Sequence, residues 1–422
     1  MVIKNSISVK KPKKLPELCV PASNLNVLKY AVAYGADAVY IGGGKYNLRT
    51  FGDNFTIDEL NQGVEIAHAN KVKVYFTLNA IISENEIEGL RDYIGKIKDI
   101  GFDAFIISDP AVMYFLKKII PAARIHISTQ TSTSNSIAVD FWASQGASRI
   151  NLAREVTYSD LCNIIAHKNP ATTEIEVFVH GALCISYSGR CMLSKYMSGR
   201  DANKGQCSHS CRWQYFLMEE KRQNMFFPID QDKRGTYIYN SRDLCLLPKL
   251  DLIAAAGVDS LKIEGRMKTE SYVSLTTWIY RKALQYIEEK KFTRQKISYL
   301  MKELDKATHR NFTQGFMFLD SNCNSELTEN DNVGYIRNYR FVGVYEGCSK
   351  KYNGPIIRVK NQFKAGETLD ALQPNENPKK FMIKRMLLAN TGEEIEVANP
   401  NDLVIINDIG EVNQYSIFRI KA

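Results

Sequence analysis

The chain has 422 residues, a formal net charge of +9, and 45% apolar against 24% charged residues. That length points to two or three domains, and the composition is ordinary for a globular protein. No apolar run reaches the 18 residues a membrane helix requires. The opening MVIKNSISVKKPKKLPE lacks the apolar stretch of a secretory signal, so a cytoplasmic location is expected.

Five lysines (Lys4, Lys10, Lys11, Lys13 and Lys14) stand in the first fourteen residues and supply more than half of the net charge. Residues 1–15 read as a basic, disordered tail. The body is only mildly basic, which permits nucleic acid as a partner without demanding it.

From residue 16, short apolar runs alternate with amphipathic stretches. The runs are Glu17–Ala22, Ala38–Gly42, Val72–Leu78, Ala104–Ser108, Arg124–Ser128, Arg149–Ala153, Glu174–Val179 and Ser260–Glu264. Most are β-branched and nearly continuous, as in strands buried on both faces. Helical patterns lie between them. Asn24–Tyr34 and Glu84–Lys98 are examples, with Asn24 and Ser83 as N-caps and Gly35 and Gly101 as stops. Eight β–α units predict an α/β fold, a closed (β/α)8 barrel over residues 16–290. An open doubly wound sheet is the alternative, but Pro21-Ala22-Ser23-Asn24 after the first run is no GxGxxG turn. Gly42-Gly43-Gly44 reads as a loop.

The regularity breaks once, at an insertion over 182–257 after strand seven, where a simple crossover needs far fewer residues. Ser271–Glu289 and Gln295–Ala307 read as helices, and 291–332 as a helical linker. From 333 to 422, short alternating runs such as FVGVYE, PIIRVK and DLVIIND predict a small all-β, barrel-like domain.

Nine cysteines are present. Cys19, Cys162, Cys323 and Cys348 are scattered and read as small buried apolar residues. Cys184, Cys191, Cys207, Cys211 and Cys245 all fall inside the insertion. Four thiolates can hold an iron–sulfur cube or a structural zinc ion. Zinc sites come as two close pairs, and only Cys207-x-x-x-Cys211 has that form, so spacing favours iron–sulfur. Chemistry in such barrels sits at the C-terminal ends of strands. The insertion is therefore well placed for function.

The segment Glu176 to Ser194, with Gly181-Ala182-Leu183-Cys184, Gly189, Cys191 and Ser194, closely resembles the signature of the collagenase-like peptidase family, numbered thirty-two among peptidases of unknown type. Asn240-Ser-Arg-Asp-Leu-Cys245, Lys262-Ile-Glu-Gly-Arg266 and His309-Arg-Asn-Phe-Thr-Gln-Gly-Phe316 match as well. The resemblance implies a barrel carrying a 4Fe–4S cluster. By the family pattern its ligands are Cys184, Cys191, Cys207 and Cys245, with Cys211 as the alternative to Cys207. It also implies oxygen-independent hydroxylation. Some members act on a tRNA wobble uridine with prephenate as co-substrate; relatives act on a ribosomal RNA cytidine or a quinone precursor. The length and single β domain look most like the tRNA branch, which makes an anticodon loop the expected partner. Peptidase is the older family label.

Other candidates stand at strand ends: Asn79, His126, Ser128, Gln130, Arg154, Glu155, His180, Lys262, Glu264 and Arg266. His180, four residues before Cys184, is a candidate proton shuttle, and Lys262 and Glu264 are candidate catalytic groups. Arg242 and Arg266 are the preferred carboxylate clamps, because a guanidinium fork matches a carboxylate. Arg154 and Gln130 are further substrate-binding candidates. The competing expectation is structural, with Arg154–Glu155 and Glu264–Arg266 as ion pairs sealing the barrel end. The insertion mixes cations (Arg190, Lys195, Arg200, Lys204, Arg212, Lys221, Arg222) with rings (Tyr187, Tyr196, Trp213, Tyr215, Phe216), which suits an unpaired RNA loop or a packed lid.

A cysteine peptidase is the rival enzyme, but Cys184 and His180 would lie about 13 Å apart along a strand. A non-enzymatic RNA-binding or assembly protein is the third reading.

Overall fold

The structure, a computed structural model, describes residues 14–50, 53–169, 173–184, 186–212, 230–232, 235–237, 242–318 and 335–422. The tail before Lys14 lies outside the described residues, as do Trp213, Tyr215, Phe216, Lys221, Arg222 and Cys323.

Eight parallel strands form the barrel: β1 (Glu17–Pro21), β2 (Ala38–Ile41), β3 (Lys73–Leu78), β4 (Ala104–Ile107), β5 (Ile125–Ile127), β6 (Ala147–Asn151), β7 (Glu174–Ala182) and β8 (Ser260–Ile263). Each pairs with its successor, and β8 closes the ring by pairing with β1. The helices between strands are α1 (Leu25–Ala33), α2 (Ile57–Ala69), α3 (Ile87–Ile97), α4 (Pro110–Ile119), α5 (Ser136–Ser144), α6 (Tyr158–His167) and α7 (Leu250–Ala256). Asn24 caps α1, accepting from Val27 N at 3.0 Å. Ser83 forms a capping box with Glu86, though the first turn it opens, Glu84–Glu86, is a tight 3-10 turn leading into α3.

Between strands and helices the core is apolar. The floor inside the barrel is not. Arg149 on β6 bridges Glu17 at 2.6 Å and Glu174 at 2.6 Å, while Lys262 on β8 holds Glu176 at 2.8 Å. Tyr75 donates to Glu17 at 2.9 Å. Apart from the half-exposed Glu174, these charges are buried but paired, as burial requires.

After β7 the chain leaves the barrel. It returns as a short strand, Asp243–Cys245, antiparallel to β7, and only then forms α7 and β8. Phe312–Thr313 adds to the same edge, parallel to Asp243–Leu244. Two helices precede it, α8 (Glu270–Glu288) and α9 (Arg294–Leu304). The stretch expected as a helical linker is thus part of the body: Leu300, Leu304 and Met317 join the barrel core, because α9 packs against α8.

Residues 339–421 form an antiparallel eight-stranded sheet with its own core around Val342, Phe363 and Phe418. It is fastened to the barrel helices. Tyr34, just past α1, donates to the carbonyls of Leu372 (2.8 Å) and Tyr415 (3.0 Å). Trp278 on α8 donates to Glu376 O at 2.8 Å. Lys306 pairs with Glu303 and Asp370, and Asp370 also pairs with Arg419.

Among the described residues no helix is long and apolar enough to cross a membrane. Cys19 is buried as expected, Cys162 is half-buried, and Cys348 is exposed.

Candidate active site at the mouth of the barrel

The ends of the strands enclose a cavity of about 320 Å3. Its walls carry Tyr40 from β2, Thr77 and Asn79 from the end of β3, and Gln130 from the turn after β5. Asn151 and Arg154 come from the end of β6, Phe178 from β7, and Lys262, Glu264 and Arg266 from β8 and its exit. The loop that follows β7 covers it. Cys184, Cys191, Cys207 and Cys211 all line the cavity.

Local backbone chemistry holds that cover. Gly181 at the end of β7 has φ +106°, and a Cβ there would meet Glu264 O at 2.4 Å. Only glycine lets strands seven and eight approach so closely. Asn203 clasps the Cys191 backbone from both sides, accepting at 3.1 Å and donating at 3.0 Å. Ser188 docks on Glu155, N to Oε1 2.7 Å and Oγ to Oε2 2.5 Å. Lys204 reaches Glu86 at 2.5 Å, and Thr50 donates to Gly205 O at 3.3 Å, so the loops after β2 and β3 pin the far side.

Two thiols carry backbone donors aimed at sulfur: Ser186 N to Cys184 Sγ and His209 N to Cys207 Sγ, both 3.4 Å. N–H groups directed at sulfur favour the thiolate and its metal complexes. This donor set fits an iron–sulfur centre. Among the described residues, though, no three Cys, His, Asp or Glu side chains are gathered as tightly as around a single ion. The family-pattern fourth ligand, Cys245, does not reach the cavity. It is buried against Met301, sulfur to sulfur 3.9 Å, and burial pushes its thiol up to about 12. Cys211 takes a place on the cavity wall instead.

The cations at the mouth are differently held. Arg49, from the loop after β2, pairs with Glu264 at 3.0 Å. Arg266 lies against neutral oxygens only: Thr77 Oγ1 at 2.8 Å, and Asn47 Oδ1 and Asn54 Oδ1 at 2.9 Å. Burial, then the Arg49 charge, brings it down to about 10, so it remains a cation at neutral pH. Arg154 lies over the Phe178 ring at 4.3 Å, and its Nε is buried without a partner. The expected Arg154–Glu155 and Glu264–Arg266 pairs do not form. Glu155 is taken by Ser188, and Glu264 by Arg49. Lys262 sits between Tyr40 (4.5 Å to the ring centre) and Phe178 (6.0 Å) and stays charged, because Glu176 outweighs its burial.

His180 lies elsewhere. A register shift between β7 and β8, at Lys262/Ile263, breaks the in–out alternation. Phe178 faces the cavity, while His180 turns outward among Tyr272, Tyr280 and Phe312. Burial lowers its pKa to about 4. Arg242 does not line the cavity either. His126 is buried inside the barrel, edge-on to Tyr75 at 4.7 Å.

Residues 23–327 match peptidase family U32, and residues 337–419 match its C-terminal domain. The chain belongs to peptidase family U32. Among curated relatives of this family, tRNA hydroxylation protein P1 of Bacillus subtilis is 36% identical, over 86% of this chain and 84% of its own. The tRNA hydroxylation protein P of Escherichia coli is 33% identical, over 92% of each chain. A 23S rRNA 5-hydroxycytidine synthase of Escherichia coli is 33% identical, over 71% of this chain and 45% of its own.

Met267 and Tyr335 line this U32 cavity, and the loop that covers it carries further exposed apolar side chains. Tyr187, Met192, Tyr196, Met197, Met267 and Tyr335 are six of the thirteen exposed large hydrophobic side chains among the described residues. Tyr196 is 87% exposed. Arg190, Lys195 and Lys268 stand beside them in sequence, and Lys268 lies 5.1 Å over the Tyr335 ring.

Arg49, Asn47, Asn54 and Asn151 are the site residues not singled out by sequence, whereas Phe178 is the Phe of the family signature before the end of β7. Asn151 was legible in retrospect: it falls two residues after Arg149, on the inward face of β6.

Proposed function

We propose that this protein is an RNA-modifying enzyme that hydroxylates the wobble uridine of tRNA, without molecular oxygen, using a 4Fe–4S cluster and prephenate. The observation that carries the reading is one cavity combining four thiols, cations lacking carboxylate partners, and an aromatic, basic rim. Relatives named for tRNA hydroxylation share most of the chain, which supports the substrate class.

Cys184, Cys191 and Cys207 would hold the cluster. Position on the cavity wall favours Cys211 as the fourth ligand, while the family pattern favours Cys245. Such a cluster supplies electron transfer or a Lewis-acid iron. Arg266 and Arg154 offer two guanidinium groups to a dicarboxylate, the charge pattern of prephenate. Lys262, anchored by Glu176, presents a donor at the cavity base, and Glu264 is kept ionised and oriented by Arg49. Tyr187, Tyr196 and Tyr335 offer faces to splayed bases, and the neighbouring cations meet phosphates.

Nucleoside mass spectrometry of tRNA from a deletion strain tests the reading. Loss of a hydroxyl-derived wobble-uridine modification is the expected result. An unchanged tRNA profile with loss of a ribosomal RNA mark or of quinone would move the protein to a sister reaction. Peptide cleavage by pure, cluster-free protein would favour the peptidase label. Against that label, Cys184 lines the cavity and His180 does not.

A further inference from the structure

Asn151 ends β6 with its side chain at the base of the cavity. It is 3% exposed, and its Oδ1 has no hydrogen-bond partner. A buried amide oxygen left without a donor is rare in a folded protein and marks a place for one. No structural duty absorbs it: β6 pairs with β7 through its backbone. Gln130 stands on the adjacent strand's exit, equally buried. Its Oε1 accepts from Ser108 at 3.5 Å, and it too lines the cavity. Two carboxamides on neighbouring strand ends thus present acceptors and donors to one small volume.

The cavity, at about 320 Å3 and shared with the proposed cluster and co-substrate, leaves room for a single base and not a stacked run of bases. A base entering it must leave its stack, and enzymes read such a base along its Watson–Crick edge. The two pyrimidines differ there at two positions, N3 and the 4-substituent, where uracil O4 accepts and the cytosine 4-amino group donates. Uracil N3 carries a hydrogen and donates; cytosine N3 has a lone pair and accepts. A buried acceptor suits the first and meets a like lone pair in the second. Holding N3 at the strand ends also turns the opposite edge of the ring, C5–C6, away from the base of the barrel and towards the cysteine-bearing cover.

We propose that Asn151 is the specificity-determining residue for the target base: its Oδ1 accepts the N3 proton of a flipped-out uracil, with the Gln130 amide beside it donating to a uracil carbonyl oxygen. This assignment rests on the RNA reading above and extends it from the class of substrate to the atom that is read.

The test is equilibrium binding of the anaerobically purified full chain to two RNA hairpins. One is an anticodon stem–loop with uridine at the wobble position; the other differs only by cytidine there. Binding needs no turnover, so it is independent of the co-substrate. The wild type should prefer the uridine hairpin by about tenfold or more, the discrimination one well-made base contact provides. Asn151→Leu should cut the ratio several-fold, by weakening uridine-hairpin binding and relieving the lone-pair clash with cytidine. Asn151→Asp, which keeps an acceptor, should retain the uridine preference. If Asn151→Leu does not fold, Asn151→Ala carries the same expectation. A wild-type preference that survives Asn151→Leu or Asn151→Ala undiminished overturns the assignment and leaves the RNA reading intact; Oδ1 would then be met by water. Equal affinity of the wild type for both hairpins also overturns it. No binding to either hairpin overturns the RNA reading, and this assignment with it.

Discussion

Gly42 and Arg266 touch in a way that leaves no room for a side chain: a Cβ on Gly42 would lie 2.6 Å from one guanidinium nitrogen and 2.7 Å from the other. Thr77, Asn47 and Asn54 hold the guanidinium from its other sides. It cannot retreat without giving up those bonds. Gly42→Ala should therefore displace Arg266 from its place on the cavity wall. Overpacking of this kind costs about 1–3 kcal/mol, so the variant should fold, melt a few degrees lower, and lose wobble-uridine modification in a complementation assay. A Gly42→Ala protein with normal modification would show that Arg266 need not stand where it does.

The two guanidinium groups without a carboxylate partner should act on the co-substrate and not on the metal. Arg266→Lys and Arg154→Gln should each keep full iron content and lose modification, because neither substitution preserves a bidentate fork. Arg242→Gln, outside the cavity, should modify tRNA normally. Added prephenate at high concentration should partly restore Arg154→Gln. Iron loss in either cavity variant would reassign the arginine to the cover's structure.

Protein purified without oxygen should contain roughly four irons and four sulfides per chain and be brown. Cys184→Ala and Cys191→Ala should each be colourless. The fourth ligand is decided by one comparison: Cys211→Ala colourless with Cys245→Ala brown assigns Cys211, and the reverse assigns Cys245. Stoichiometric zinc in a colourless wild type, with no iron taken up on anaerobic reconstitution, would end the cluster proposal.

The charged floor predicts a pH dependence. Glu17 is lowered to about 2: burial opposes this, but the hydrogen bond and charge of Arg149, then those of Lys73, outweigh it. The folded state holds Glu17 ionised where the unfolded chain, near 4.5, would take up a proton. Its contribution is complete above that value and is lost as pH falls from about 4.5 towards 2. The size is roughly 3 kcal/mol. Denaturant unfolding from pH 7 to 3 should show wild type more stable than Glu17→Gln at neutral pH, with the gap narrowing below pH 5. A constant gap would place the Glu17–Arg149 pair outside the titrating network.

The barrel was readable because strands buried on both faces leave nearly continuous apolar runs, and Asn24 and Ser83 mark helix starts by side-chain chemistry alone. Alternating runs disclosed the β domain in the same way. The site was less readable, since it depends on facts with no local signature. One extra residue in β7 turned His180 outward and Phe178 inward. Arg266 met Asn47 and Asn54 only because the loop after β2 folds over the mouth. Cysteine spacing carries no record of which side of a short strand a thiol faces, and Cys245 faces Met301 and not the cavity.

The two bonds from Tyr34 have a bearing on how the molecule is made. A buried hydroxyl near the start of the chain finds its acceptors in Leu372 and Tyr415, 338 and 381 residues later. At a synthesis rate of 5–20 residues per second, roughly 20–80 seconds separate the appearance of donor and last acceptor. During that interval α1 can lie on the barrel with its end still wetted, but it cannot be sealed. The first helix can pack on its barrel neighbours early, but the hydroxyl at its end is satisfied only once the C-terminal domain has been made.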